Sequence, residues 1–223
     1  GFARNIQEDY VNKDLLFLGT ELGLYITING GNKWSKFTKN VPPVAIHYIE
    51  LQSNTNDLVM GTHGRGVIII DDISPLREIN ETNLSNKLYF FERNEFEIQE
   101  FGGFADNFGR ETQFIGANSS LSCQIQYLLP KRHTFGKMTM EIQDMQGNKV
   151  LTLNPGKSKG INTVDWNYNM RTPKIAKGKT LSFGGFTSPT VPAGEYKVVI
   201  KKGRDTFEKT INVAYKNNAG LNQ

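Results

Sequence analysis

Cysteine occurs once in these 223 residues, at Cys123, and histidine only three times. A single cysteine forms no internal disulfide, so the fold must rest on a packed core. The histidines, His47, His63 and His133, stand far apart with no cysteine or carboxylate at ligand spacing, so neither a metal nor a cofactor is expected. Long apolar runs are missing too. The longest covers a few residues around Val67–Ile70, which excludes a membrane-spanning helix. Gly64-Arg65-Gly66 lies between two strand-like runs and opens no helix, so it is not a phosphate loop. No charged-then-apolar leader follows Gly1, and the expectation is that a leader was removed or that the chain is a fragment.

What is present argues for folded domains. The chain is 38% hydrophobic and 11% aromatic with a mean hydropathy of −0.44, which suits one or two globular domains and not a disordered segment. The net charge of +4 comes from 26 basic and 22 acidic residues. Apart from a mild cluster at Lys174–Lys179 and the pair Lys201-Lys202, the lysines are dispersed, so no nucleic-acid partner is expected.

The chain opens with a repeat. Asp14–Thr20 reads D-L-L-F-L-G-T and Asp57–Thr62 reads D-L-V-M-G-T; aligning Gly19 with Gly61 gives an offset of 42 (61 minus 19). Each copy runs on into a second apolar stretch, Leu22–Ile28 and Gly66–Ile70, and each follows an upstream one, Phe2–Gln7 and Val44–Leu51. In the latter, alternation puts Val44, Ile46 and Tyr48 on one face. Short β-branched strands at this period are the pattern of propeller blades. Thr27 to Trp34 (T-I-N-G-G-N-K-W) fits the Asp-box pattern, a structural turn. Asn29 caps it, Gly31 supplies a positive φ, Thr27 bonds nearby backbone and Trp34 plugs the hairpin. Two blades cannot close a propeller, so others are expected on a missing segment or another chain.

The rest reads as a second β domain. Asn80–Asn86 is polar, Leu88, Phe90, Phe96 and Ile98 suggest edge strands, and Phe101–Arg110 looks like a loop. Leu121, Cys123, Ile125 and Tyr127 alternate with polar residues, as do Met138, Met140 and Ile142. Further strands are expected at Val150–Leu153, Asn162–Trp166, Val198–Ile200 and Thr206–Val213, with turns between them. This spacing fits an antiparallel sandwich in which Cys123 is buried packing. The expected division is residues 1–79 as two terminal blades, 80–118 as linker and edge strands, 119–216 as an Ig-like sandwich and 217–223 as a polar tail.

The first eighty residues resemble the last blades of the sortilin-like, Asp-box (BNR-type) β-propellers of bacterial exported proteins, often labelled glycosyl hydrolases. The carriers are Leu16–Tyr25, the box at Thr27–Trp34, and Gly61–Gly66 with Asp71–Leu76. The later domain resembles the Ig-like domain of the flagellar hook-capping protein, through Met140–Asp144 with Gly147, Gly160–Trp166 and Pro192–Tyr196. The resemblance implies an all-β protein of the periplasm, outer-membrane surface or exterior of a Gram-negative, Bacteroidota-type bacterium. Its partners would be the remaining blades, a surface protein complex or a glycan.

Chemistry is sparse. Arg4, Arg65 and Arg77 form no recognisable arginine triad, and Asp71-Asp72 read as a turn cap or a partner for Arg77. In a blade, the turn between the second and third strands opens on the rim opposite the Asp-box turn. Glu21, and His63 with Arg65, therefore fall on one rim of neighbouring blades. They either hold a polar or anionic ligand, or Arg65 and Glu21 pair across the seam while His63 packs. No catalytic residue is assigned. The leading expectation is a non-catalytic scaffold or binding portion of a large exported protein; the alternative is the end of a glycoside hydrolase whose active site lies on other blades.

Overall fold

The computed structural model describes residues 1–98, 121–172 and 188–216. The expected Phe101–Arg110 loop, the Lys174–Lys179 cluster and the 217–223 tail lie outside these residues. The chain divides into two units, Gly1–Lys87 and Leu88–Gln223. Apart from two short helices, the regular structure described is β. Among the described residues no helix is long and apolar enough to cross a membrane.

The first unit holds two antiparallel sheets. β1 (Ala3–Glu8), β2 (Leu16–Thr20), β3 (Gly23–Thr27) and β4 (Ser35–Phe37) form one; β5 (Ile46–Gln52), β6 (Asp57–Thr62) and β7 (Val67–Ile70) form the other. Their registers repeat. Ile6 pairs with Leu18 and Leu18 with Tyr25, just as Ile49 pairs with Met60 and Met60 with Ile68. Each first strand also carries a bulge at the same place, with Arg4 the extra residue between Ala3 and Asn5, and His47 between Ile46 and Tyr48. The second bulge corrects the expected face of β5. An extra residue reverses the alternation, so Ile46, Ile49 and Leu51 are buried while Tyr48 is 59% exposed.

The sheets stack head to tail. Gly19 of β2 lies against Ile46, where an added Cβ would meet Ile46 Cγ2 at 2.9 Å and its carbonyl oxygen at 3.0 Å. Asn5, on the same face, accepts a hydrogen bond from the Ile49 amide at 3.1 Å. The buried face of the second sheet carries Ile49, Leu58 and Met60; their counterparts in the first sheet, Ile6, Leu16 and Leu18, lie on its outer face. The outer face of the second sheet carries Tyr48, Val59, Val67 and Ile69.

At the far end of β1 the loops are clamped. Pro75, in the first turn of α1 (Ser74–Arg77), suits a helix start, and Arg77 reaches back to Asp9 through two bonds, Nη2 to Oδ1 at 2.8 Å and Nε to Oδ2 at 2.9 Å. Asp9 is fully buried. Arg77 also donates to Asn56 Oδ1 at 2.7 Å and stacks on Tyr10, whose hydroxyl donates to Asn56 and to the Ser53 carbonyl. Burial opposes the Arg77 charge, but the hydrogen bonds and attraction of Asp9 prevail and raise its pKa. The partner of Arg77 is thus Asp9, 68 residues away, while Asp72 caps the turn by accepting from the Ser74 amide at 3.1 Å. After α1 the polar stretch forms α2 (Glu81–Ser85), capped by Asn80, which accepts from the Asn83 amide at 2.9 Å.

The second unit begins at Leu88, and the strands expected between Leu88 and Ile98 lie at the edges of its sheets. β8 (Tyr89–Phe90) pairs with β10 (Cys123–Leu129), which pairs with β13 (Gly160–Trp166). The five-stranded sheet runs β12 (Lys149–Leu153), β11 (Met138–Gln143), β14 (Gly194–Lys202), β15 (Asp205–Tyr215) and β9 (Glu95–Ile98), with β9 parallel to β15. Side chains of both sheets, Cys123, Tyr127 and Trp166 from one and Met140, Val198 and Ile211 from the other, fill one core. Leu121 is exposed because it precedes the first paired residue of β10. Burial pushes the Cys123 thiol up to about 12, as suits packing and not reactivity.

Two substitutions at one repeat position are expected to differ. Gly19→Ala forces β2 off Ile46 and costs about 1–3 kcal/mol. Gly61→Ala, whose Cβ meets nothing closer than Tyr48 Cβ at 3.7 Å, changes the stability of this chain by less than about 0.5 kcal/mol. Arg77→Ala leaves Asp9 buried and unpaired and costs about 3–5 kcal/mol. Urea denaturation of each variant measures these values.

Candidate functional site

The Thr27–Trp34 turn is a hydrogen-bonded knot. Thr27 is buried; its hydroxyl donates to Asn29 Oδ1 at 2.9 Å and accepts from the Gly31 amide at 3.1 Å. Asn29 Oδ1 also accepts from the Lys33 amide at 2.9 Å. Gly30 and Gly31 take φ of 65° and 90°, which a side chain would strain. Trp34 places its indole beside Gly31 but is only half-buried, since it stands just before the edge strand β4. It is a flank to the turn more than a plug. The Thr27 hydroxyl and Asn29 Oδ1 are thus spent on the turn itself, while the Gly30 amide ties it to the Asp14 carbonyl at 3.0 Å.

At the other end of the strands the candidate rim takes shape. Glu21 opens the turn between β2 and β3, and its amide donates to the Phe2 carbonyl at 3.3 Å. His63 opens the turn between β6 and β7, and its amide donates to the Ala45 carbonyl at 2.9 Å. The threonine before each turn gives its hydroxyl to a glycine carbonyl, Thr20 to Gly23 at 2.9 Å and Thr62 to Gly66 at 2.7 Å. The two turns are therefore built alike from the backbone outward.

The bulges supply what the repeat alone does not reveal. Arg4 donates to Glu21 at 2.9 Å, both side chains about a third exposed. His47 stacks on His63 with ring centroids 5.7 Å apart and planes at 29°. Phe2, Ala3, Arg4, Glu21 and His47 line an open cavity of about 390 Å³. Glu21 thus pairs with Arg4 and not with Arg65 across the seam, and His63 is exposed and stacked, not packed at a closure. Arg65 is exposed and takes no part in the cavity lining. Alternation within the strands gave no sign of Arg4 or His47; the bulges emerge only from the strand registers.

Glu21 is the one carboxylate lining this cavity, whereas glycoside hydrolysis by acid and base requires two. Among the described residues, no three His, Cys, Asp or Glu side chains come together as metal ligands. The arrangement can donate through Arg4, accept through Glu21 and present aromatic edges through Phe2 and His47.

Thr27→Val keeps the shape of the turn but strands the Gly31 amide, and is expected to cost about 1–3 kcal/mol. Trp34→Ala, removing a half-buried ring, is expected to cost less than the roughly 3–5 kcal/mol of a fully buried one. Thermal and urea melts of the two variants compare them directly.

No family model matches this chain, and neither a curated protein nor a solved structure matches it.

Proposed function

We propose that the chain is a non-catalytic scaffold or binding portion of a large exported β-propeller protein, with residues 1–79 its last two Asp-box blades and the second unit an Ig-like sandwich. The observation that carries this reading is the head-to-tail stacking of the two sheets. Like faces packed on like would close a pair. Unlike faces leave one of each kind open, and such contacts propagate until they close a ring. Gly61 supports the same reading. Gly19 must be glycine because Ile46 touches it, yet nothing crowds Gly61; a further repeat on the outer face of the second sheet would supply that neighbour.

That face is apolar and wet. Tyr48, Val67 and Ile69 are 59%, 64% and 55% exposed, and covering each is worth about 1.5–3 kcal/mol. The partners proposed are therefore the remaining blades, with a surface protein complex or glycan on the Glu21, His63 and Arg65 rim. The Ig-like reading is supported by buried Trp166, packed at 5.5 Å on Tyr196, whose hydroxyl donates to the Pro192 carbonyl at 2.7 Å, the backbone bond of a tyrosine corner. The location proposed with it is the periplasm, outer-membrane surface or exterior of a Gram-negative bacterium, as the resemblance implies.

Light scattering tests this. The isolated 25.1 kDa chain is expected to associate, and Val67→Lys with Ile69→Lys to return it to a monomer. A stable monomer, indifferent to these substitutions, overturns the reading.

A further inference from the structure

The repeat sorts the rim into two equivalent pairs, each made of a bulge residue and the residue that opens the facing turn. In the first repeat the pair is Arg4 with Glu21; in the second it is His47 with His63. The backbone that holds each pair is the same, through Glu21 N–H to Phe2 and His63 N–H to Ala45. Bulges re-aim side chains, and here both re-aimed side chains line or border one cavity of about 390 Å³, a size that suits a small molecule.

The charges in it select the ligand. Arg4 spends one N–H on Glu21, and among the described residues neither side chain makes another polar contact. An anion entering the cavity meets a guanidinium already neutralised and a carboxylate that repels it; a cation meets the guanidinium. A neutral ligand with two adjacent hydroxyls meets no such penalty. One hydroxyl accepts from the free N–H groups of Arg4 while its neighbour donates to Glu21, and both bonds are charge-assisted. Phe2, 76% exposed, and His47, stacked on His63, line the same cavity and offer aromatic rings to the C–H groups of a sugar.

The geometry points to a binding site for a neutral saccharide bearing vicinal hydroxyls, formed by Arg4, Glu21 and His47 with His63 as support. It rests on the reading of this rim as a ligand face, and excludes Arg65 from the contact.

The three histidines make the test direct. In the full chain, the imidazole C–H signals of His47 and His63 report the cavity, and His133 of the second unit is the internal control. Methyl glycosides of glucose, galactose and mannose are titrated beside acetate and phosphate. At least one glycoside is expected to move His47 and His63 saturably at roughly millimolar concentration and leave His133 still. Glu21→Gln and Arg4→Gln, at partly exposed positions, should each weaken this about tenfold or more. If acetate or phosphate moves the two signals and no glycoside does, the rim is a ligand face but the saccharide assignment is wrong. If nothing moves them, both fall. A glycoside that binds Glu21→Gln unchanged also overturns the assignment.

Discussion

The close contact of Gly19 with Ile46 is the constraint from which the first unit follows. It brings the backbone of β2 within reach of β5, and it fixes which face of each sheet is inside. Once these faces meet, Asn5 can accept from the Ile49 amide, and the bulges at Arg4 and His47 turn toward the same rim. The opposite end is held independently by the Asp9–Arg77 clamp, which ties the β1–β2 loop and Asn56 of the β5–β6 loop to α1. The sheets are thus pinned by packing in the middle and by a buried ion pair at one end. The other end is left open, with side chains that serve no structural need visible in the unit itself.

The division of labour between the ends is chemical. At the clamp every charge is paired and shielded; Asp9 is buried and the polar groups around it are saturated. At the rim the Arg4–Glu21 pair is about a third exposed and keeps free donors and acceptors. In the second unit the Cys123 thiol is buried and pushed up to about 12, and Trp166 and Tyr196 spend their polar atoms on backbone carbonyls.

Much of this was legible in the sequence. The offset between Gly19 and Gly61, the Thr27–Trp34 turn and the alternation of Cys123–Tyr127 each map onto a paired strand or a bonded turn. What was not legible depends on contacts that leave no local pattern. A bulge shifts alternation by one residue, so Tyr48 falls outward and His47 reaches the rim although the residue types suit either arrangement. The Asp9–Arg77 pair joins residues 68 apart, and Asp71-Asp72 offered nearer carboxylates. Trp34 has the composition of a plug, but its depth is set by the edge position of the strand that follows it. The division at Lys87 rather than residue 79 reflects Asn80 capping a helix in what reads as polar linker.

In the proposed assembly the outer face of the second sheet becomes an interior surface. Ile69→Cys puts a reactive thiol on that face, and Cys123 does not compete because it is buried. The labelling rate of this thiol should be compared between the isolated chain and the same sequence in the whole protein recovered from its source. Rapid labelling is expected in the isolated chain diluted until it is monomeric, and strong protection in the whole protein. Equal, rapid labelling in both would show that nothing covers the face, and would contradict that assembly.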